Sequence, residues 1–196
     1  MFLSRLVLDR RSRAVRRDLA NPYEMHRTLC RPFSDALKAE KEHLLWRVEP
    51  MRGDPVVLIQ SHTAPDLGAF ETGYLLDARS KEFDPQLVVG QKFRFRLKAN
   101  PTVTKAGKRH ALYDIEEQLE WLRTRLDRGG FELLGAIVSH TERLEARVDG
   151  KKIVLGIALF DGHLKVADAE LARQKLELGL GHGKGFGLGL LSLAKA

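Results

Sequence analysis

Residues 93–99 read Phe93-Arg94-Phe95-Arg96-Leu97-Lys98-Ala99, with an apolar side chain at every odd position and a cation at every even one. Successive side chains of a strand point to opposite faces, so a period of two places Phe93, Phe95, Leu97 and Ala99 on a core and Arg94, Arg96 and Lys98 opposite. Downstream, Glu116 to Arg128 carries Leu119, Trp121, Leu122 and Leu126 at helical spacing, and Gly129-Gly130 ends it. A strand is expected around Phe131 to Val138, and Asp149-Gly150 and Asp161-Gly162 both suit tight hairpin turns. Asp168 to Leu178 reads as a helix with Asp168 as cap and Gly179 as stop, and Phe186 to Leu193 as a glycine-containing strand.

The order strand, helix, strand, strand, helix, strand is the ferredoxin-like arrangement. Upstream, the signals are looser. Phe2 to Leu8 reads as a strand and is followed by a basic segment with Arg10, Arg11, Arg13, Arg16 and Arg17. Helices are expected near 22–31 and 35–42, strands at Leu44 to Val48 and Val56 to Gln60 around a turn with Gly53, Asp54 and Pro55, and a further strand near Tyr74 to Leu76. The stretch from Ser80 to Gln91, with Pro85, Gly90 and little periodicity, is the candidate linker. The expected fold is α+β, with tandem ferredoxin-like (RRM-like) domains at 1–82 and 92–196 joined by a linker at 83–91.

A chain of 196 residues, 43% apolar, suffices for one ordinary core or two small ones. The lone cysteine, Cys30, cannot form an internal disulfide; no stretch reads as a signal peptide or is long and apolar enough to span a bilayer. A cytoplasmic protein without a membrane partner is expected. Thirty-three Lys and Arg against 26 Asp and Glu leave a net charge of +7, a field that favours polyanions.

Asn21-Pro22-Tyr23-Glu24 is a dense helix-start signal, in which Asn caps, Pro suits the first turn and Glu completes a capping-box-like pattern. Pro32 stops the helix near Arg31. At about 100° per residue, Tyr23, His26, Arg27 and Cys30 share one face, while Met25 and Leu29 turn to the core. A phenol, an imidazole and a guanidinium on one exposed face suit RNA cleavage in which a 2′-OH attacks the adjacent phosphate. Histidine supplies the acid or the base, and Arg27 and Arg31 supply fixed positive charge. On spacing alone, a surface helix with no chemistry is the commoner reading of such a pair, and Ser34-Asp35 reads also as a cap for the next helix.

Gly179, Gly181, Gly183, Gly185, Gly187 and Gly189 alternate strictly with other residues, which excludes G-x-G-x-x-G. Lys184 is followed by Gly185 where a Walker motif needs Ser or Thr. Backbone N–H groups of Gly181, His182 and Gly183, with Lys184, are candidates to cradle phosphate, and Gly187 and Gly189 to serve close packing. None of the seven histidines forms an H-x-x-x-H pair, so neither a metal nor another cofactor is expected.

The chain resembles the CRISPR-associated CasE endoribonucleases over almost its whole length. The anchors are Met1-Phe2-Leu3-Ser4, Asn21-Pro22-Tyr23-Glu24-Met25-His26, Phe95-Arg96-Leu97-Lys98-Ala99-Asn100-Pro101, and Gly179 to Ser192. The resemblance implies catalysis by His26 with Tyr23 beside it, a supporting cation at Arg31, and a further site position at Ser34. It also implies a short repeat hairpin as substrate, cut at the 3′ base of its stem into guide RNAs with 2′,3′-cyclic phosphate and 5′-OH ends, and retention among the other Cascade subunits. A duplex stem exposes phosphates and 2′-OH groups better than base edges. Three basic groups are therefore candidate RNA contacts: Arg94, Arg96 and Lys98; Lys105, Lys108 and Arg109 in the loop with Gly107; and Arg143, Arg147, Lys151 and Lys152 around Asp149-Gly150. The main competing reading is a subunit that holds the hairpin without cutting it; DNA binding is kept open by charge alone.

Overall fold

Strand β1 (Phe2–Leu8) turns Ser4, Leu6 and Leu8 inward and leaves Arg5 exposed. The structure is a computed structural model describing residues 1–33, 44–49 and 53–195. After β1 the basic segment forms helix α1 (Arg13–Ala20), then α2 (Pro22–Cys30) and a 3₁₀ turn at Arg31–Phe33. The helix anticipated at 35–42, and Ser34 with it, lies outside the described residues. Strands β2 (Leu45–Glu49), β3 (Val56–Ser61) and β4 (Leu75–Glu82) complete an antiparallel sheet of order β2-β3-β1-β4. Leu6, Leu8, Val57 and Ile59 meet Val15, Met25, Leu29 and Phe33, so α1 and α2 cover one face. Between β3 and β4 runs a 3₁₀ turn, Leu67–Ala69, capped by Asp66.

Two expectations change here. The arginine-rich segment is helical because its inward face carries only Val15 and the buried carboxylate of Asp18, a pattern that apolar periodicity does not flag. Residues 80–82, assigned to the linker stretch, are strand: Ser80 pairs with Ser4 in register and accepts a 2.9 Å hydrogen bond from its hydroxyl.

In the second part of the chain, β5 (Lys92–Ala99) buries Phe93, Phe95, Leu97 and Ala99 and leaves Arg94 exposed, as the alternation requires. Lys105, Lys108 and Arg109, read as lying in a loop with Gly107, sit on the hairpin β6 (Thr102–Lys105) and β7 (Lys108–Ala111), whose turn places Ala106 and Gly107 at φ 48° and 73°. Helix α3 (Ile115–Asp127) starts on the Asp114 cap and stacks Trp121 on Phe160. Strands β8 (Phe131–Val148) and β9 (Lys151–Val166) form a long hairpin, and Asp149 and Gly150 turn it with positive φ, as expected. Helix α4 (Ala169–Leu178) starts on Asp168, which accepts from the Glu170 and Leu171 N–H groups, and Gly179 ends it. Strand β10 (Leu191–Lys195) closes a sheet of order β10-β5-β9-β8.

Three further corrections belong here. Strand β8 continues to Val148 instead of stopping near Val138. Asp161-Gly162 makes no turn: it lies within β9, opposite Arg96 and Phe95 of β5. Glycine is required at 162 because a Cβ there would collide with the Gly135 carbonyl oxygen and sit 2.8 Å from the Ala136 Cα. The tail glycines precede the last strand, and Lys184–Phe186 is a 3₁₀ turn.

The chain divides into two units: residues 1–84 with 146–152 and 184–187, and residues 85–145 with 153–183 and 188–196. Each four-stranded sheet has the order fourth, first, third, second, which is compatible with two ferredoxin-like domains. Among the described residues, no helix is long and apolar enough to cross a membrane.

Candidate active site and nucleic-acid surface

Helix α2 is set by its cap and its core face. The Asn21 Oδ1 accepts from the Tyr23 N–H at 3.3 Å, satisfying one of the helix's open donors. The same amide holds the tip of the β8–β9 hairpin: its Nδ2 donates to the Arg147 carbonyl at 3.2 Å, and the Arg147 N–H donates back to Oδ1 at 3.5 Å. The reciprocal half of a capping box does not form, because the Asn21 N–H already closes α1 on the Arg17 and Asp18 carbonyls. Glu24 instead lies 3.4 Å from Arg27. Met25 and Leu29 are buried, each contributing about 1.5–3 kcal/mol, and this rotation sets Tyr23, His26, Arg27 and Cys30 away from the core centre.

His26 does not simply face solvent. It is half-buried, with the Cys30 Sγ 3.7 Å from Nε2 and 3.9 Å from Nδ1. The buried indole of Trp46, on β2, lies nearly parallel to the imidazole, at 12° and 6.5 Å between centroids. The turn at Lys184–Phe186 comes against the same ring: a Cβ on Gly185 would lie 3.5 Å from the His26 Cδ2. Burial pushes the His26 pKa below its ordinary value and the Cys30 thiol above its own.

Tyr23 is half-buried one turn before His26, and Arg31 is exposed on the following 3₁₀ turn. Lys184 is exposed beside Gly185, and His182 is exposed as well. Gly181 and Gly183 have packing reasons for lacking a side chain: a Cβ at Gly181 would lie 3.2 Å from Trp121, and one at Gly183 2.9 Å from Leu188. Trp46 is the neighbour of His26 that sequence reasoning missed. Nothing in residues 44–48 beyond an apolar strand pattern marks it.

The basic groups differ in how far their charge is already engaged. Arg96 pairs with Asp161 at 2.7 Å, and Asp161 also accepts from Ser139. Lys98 pairs with Glu142 at 2.7 Å. Burial raises the Glu142 pKa, but Lys98, helped by His140, outweighs it and holds that carboxyl below its usual range. Arg94 is exposed, as are Lys105, Lys108 and Arg109 on the β6–β7 hairpin. Arg143 lies 3.9 Å from Glu145, and Arg147, Lys151 and Lys152 are exposed at the β8–β9 tip. Among the described residues, no three His, Cys, Asp or Glu side chains form a set that could hold a metal ion.

The model of the CRISPR associated protein family matches residues 1–195. The chain belongs to this family. Within it, the chain is 46% identical over 210 residues to the CRISPR-associated endoribonuclease Cse3 of Thermus thermophilus, covering 99% of this chain and 100% of that one. It is 30% identical over 211 residues to the CRISPR system Cascade subunit CasE of Escherichia coli, covering 99% of each. A structure of Thermus thermophilus Cse3 bound to an RNA representing a pre-cleavage complex superposes with a TM-score of 0.94 at 46% identity, over 98% of each chain. The family membership anticipated from the anchor segments is therefore shown.

Proposed function

We propose that this protein is an endoribonuclease that cleaves CRISPR repeat hairpins in precursor transcripts and stays with the guide RNA among the other Cascade subunits in the cytoplasm. The observation that carries this reading is the end-to-end likeness to an endoribonuclease of the family, at 46% identity over 99% of the chain. On this reading the cut needs no metal and falls at the 3′ base of the stem. Two ferredoxin-like domains, 1–82 and 92–196 with a linker at 83–91, carry the site and much of the RNA surface.

His26 takes the proton from the attacking 2′-OH. Burial favours its uncharged form, so at neutral pH the free protein presents an imidazole able to accept a proton. Tyr23, Arg27, Arg31 and Ser34 surround the reacting phosphate, where the guanidinium groups offset the charge that builds on its oxygens. Lys184, beside the Gly185 that meets the His26 ring, supplies a further cation there, and Gly181, His182 and Gly183 offer backbone donors to RNA phosphates. Attack of the 2′ oxygen on phosphorus breaks the bond to the 5′ oxygen of the next nucleotide, which takes up a proton from water, leaving a 2′,3′-cyclic phosphate and a 5′-OH.

The test is the end group of the product made in EDTA. A 2′,3′-cyclic phosphate is expected, with no cleavage of a hairpin carrying deoxyribose at the cut position. A 3′-OH product, or a requirement for magnesium, rules the mechanism out.

The stem is held by Arg94, Lys105, Lys108, Arg109 and the tip cations Arg147, Lys151 and Lys152, with smaller parts for Arg96, Lys98 and Arg143, whose charges already face carboxylates. Each phosphate contact releases about one counterion. Lys108→Ala is expected to flatten the slope of log affinity against log salt by about 1, and Lys98→Ala by less. Equal slopes for wild type and Lys108→Ala would show that the β6–β7 hairpin is the wrong surface.

A further inference from the structure

We propose that Trp46 is a positioning residue for the His26 imidazole: its indole, nearly parallel to the His26 ring and set against the backbone at Gly187, holds that ring in one orientation and keeps water from one side of it. The proposal rests on the reading of His26 as the proton-transfer group.

Three observations support it. The two ring planes are 12° from parallel at 6.5 Å, within the range of interacting aromatic pairs. Gly187 adopts φ 77°, and a Cβ there would lie 2.8 Å from Cζ3 and 3.0 Å from Cε3 and Cη2 of Trp46, so the backbone lies directly against the six-membered ring. Finally, the indole is buried while its Nε1 has no hydrogen-bond partner among the described residues. An unpartnered buried donor is a cost that leucine or phenylalanine would not incur, so filling space in β2 does not account for an indole. Its breadth and plane, which meet the Gly187 backbone and lie nearly parallel to the His26 ring, do.

Titratable side chains on the elements around the imidazole are Tyr23, Glu24, Arg27 and Cys30 on α2, Arg47 and Glu49 on β2, and Lys184 on the turn. Burial alone accounts for the lowered His26 pKa, and none of those charges contributes to it. Opening the Trp46 side should therefore move His26 back toward its ordinary value, and the ring's freedom should lower the cleavage rate without touching the RNA surface.

The experiment follows the His26 ring signals by NMR through a pH titration of the intact protein without RNA, in wild type, Trp46→Phe and Trp46→Leu. Single-turnover cleavage and hairpin affinity are measured beside it. Trp46→Leu is expected to raise the His26 midpoint and slow cleavage by about 10- to 100-fold, with hairpin affinity unchanged. Trp46→Phe, which keeps a ring but not its breadth, is expected to fall between and serves alone if Trp46→Leu does not fold. His26 midpoints equal to wild type in the folded variants overturn the proposal. A raised midpoint with undiminished cleavage overturns the positioning role, whereas removal of His26 from the chemistry is read in His26→Ala, so the two readings fail separately.

Discussion

His26→Ala is expected to lower cleavage of the cognate hairpin in EDTA by about 10²- to 10⁴-fold, the usual scale of acid–base help, while the hairpin still binds. The helix does not depend on this side chain: α2 is anchored by Met25 and Leu29 beneath and by the Asn21 amide at its start. The candidate RNA cations lie on other elements, so affinity should be retained. In wild type the rate should fall as acid protonates His26, with the midpoint in the free protein below the ordinary histidine value because burial disfavours the imidazolium. Undiminished cleavage by His26→Ala would place the proton transfer elsewhere. Absence of cleavage in the wild type would favour a subunit that holds the hairpin without cutting it.

Arg17→Ala is expected to cost about 2–3 kcal/mol, read as a fall in Tm of about 5–10 °C. The Asp18 side chain is wholly buried and Arg17 lies 2.7 Å from it, half exposed. Without the guanidinium, the carboxylate keeps one described side-chain donor, the Tyr74 hydroxyl at 2.8 Å. Burial first, and then the Asp18 carboxylate, push the Tyr74 phenol far up, so it remains a donor. Half exposure of Arg17 places the cost below the about 3–5 kcal/mol of a fully buried pair, since water can approach its place. Arg13→Ala, an exposed cation in the same helix, should stay within about 0.5 kcal/mol of wild type. Equal Tm values for Arg17→Ala and Arg13→Ala would refute the account. The Tyr74 hydroxyl also lies 3.5 Å from the Met25 sulfur, so this network reaches the underside of the helix that carries His26.

Where burial follows a simple period, the sequence was legible. Phe93 to Ala99 could be assigned face by face, and Asp168 and Gly179 mark helix ends where the backbone needs them. Illegible features depend on partners distant in the chain. Asp161-Gly162 has the composition of a turn, yet glycine stands there to admit a neighbouring strand, and Asp161 to meet Arg96. Helix α1 escapes an apolar-period reading because one of its buried side chains is an aspartate. At the candidate site, the face of α2 and its cap follow from local spacing. The Trp46 plane and the Gly185 backbone arrive from β2 and from the tail, and no spacing along α2 announces them.

The cap on α2 also has a chemical lifetime. Asparagine ages mainly when the next residue's backbone nitrogen attacks the side-chain amide, closing a succinimide that opens to aspartate or isoaspartate. Asn21 is followed by Pro22, whose ring nitrogen carries no hydrogen and cannot take that part. The amide that both starts the helix and holds the Arg147 backbone is thereby shielded from the change that would turn a donor–acceptor group into an acceptor alone, and the joint it makes should persist in aged preparations.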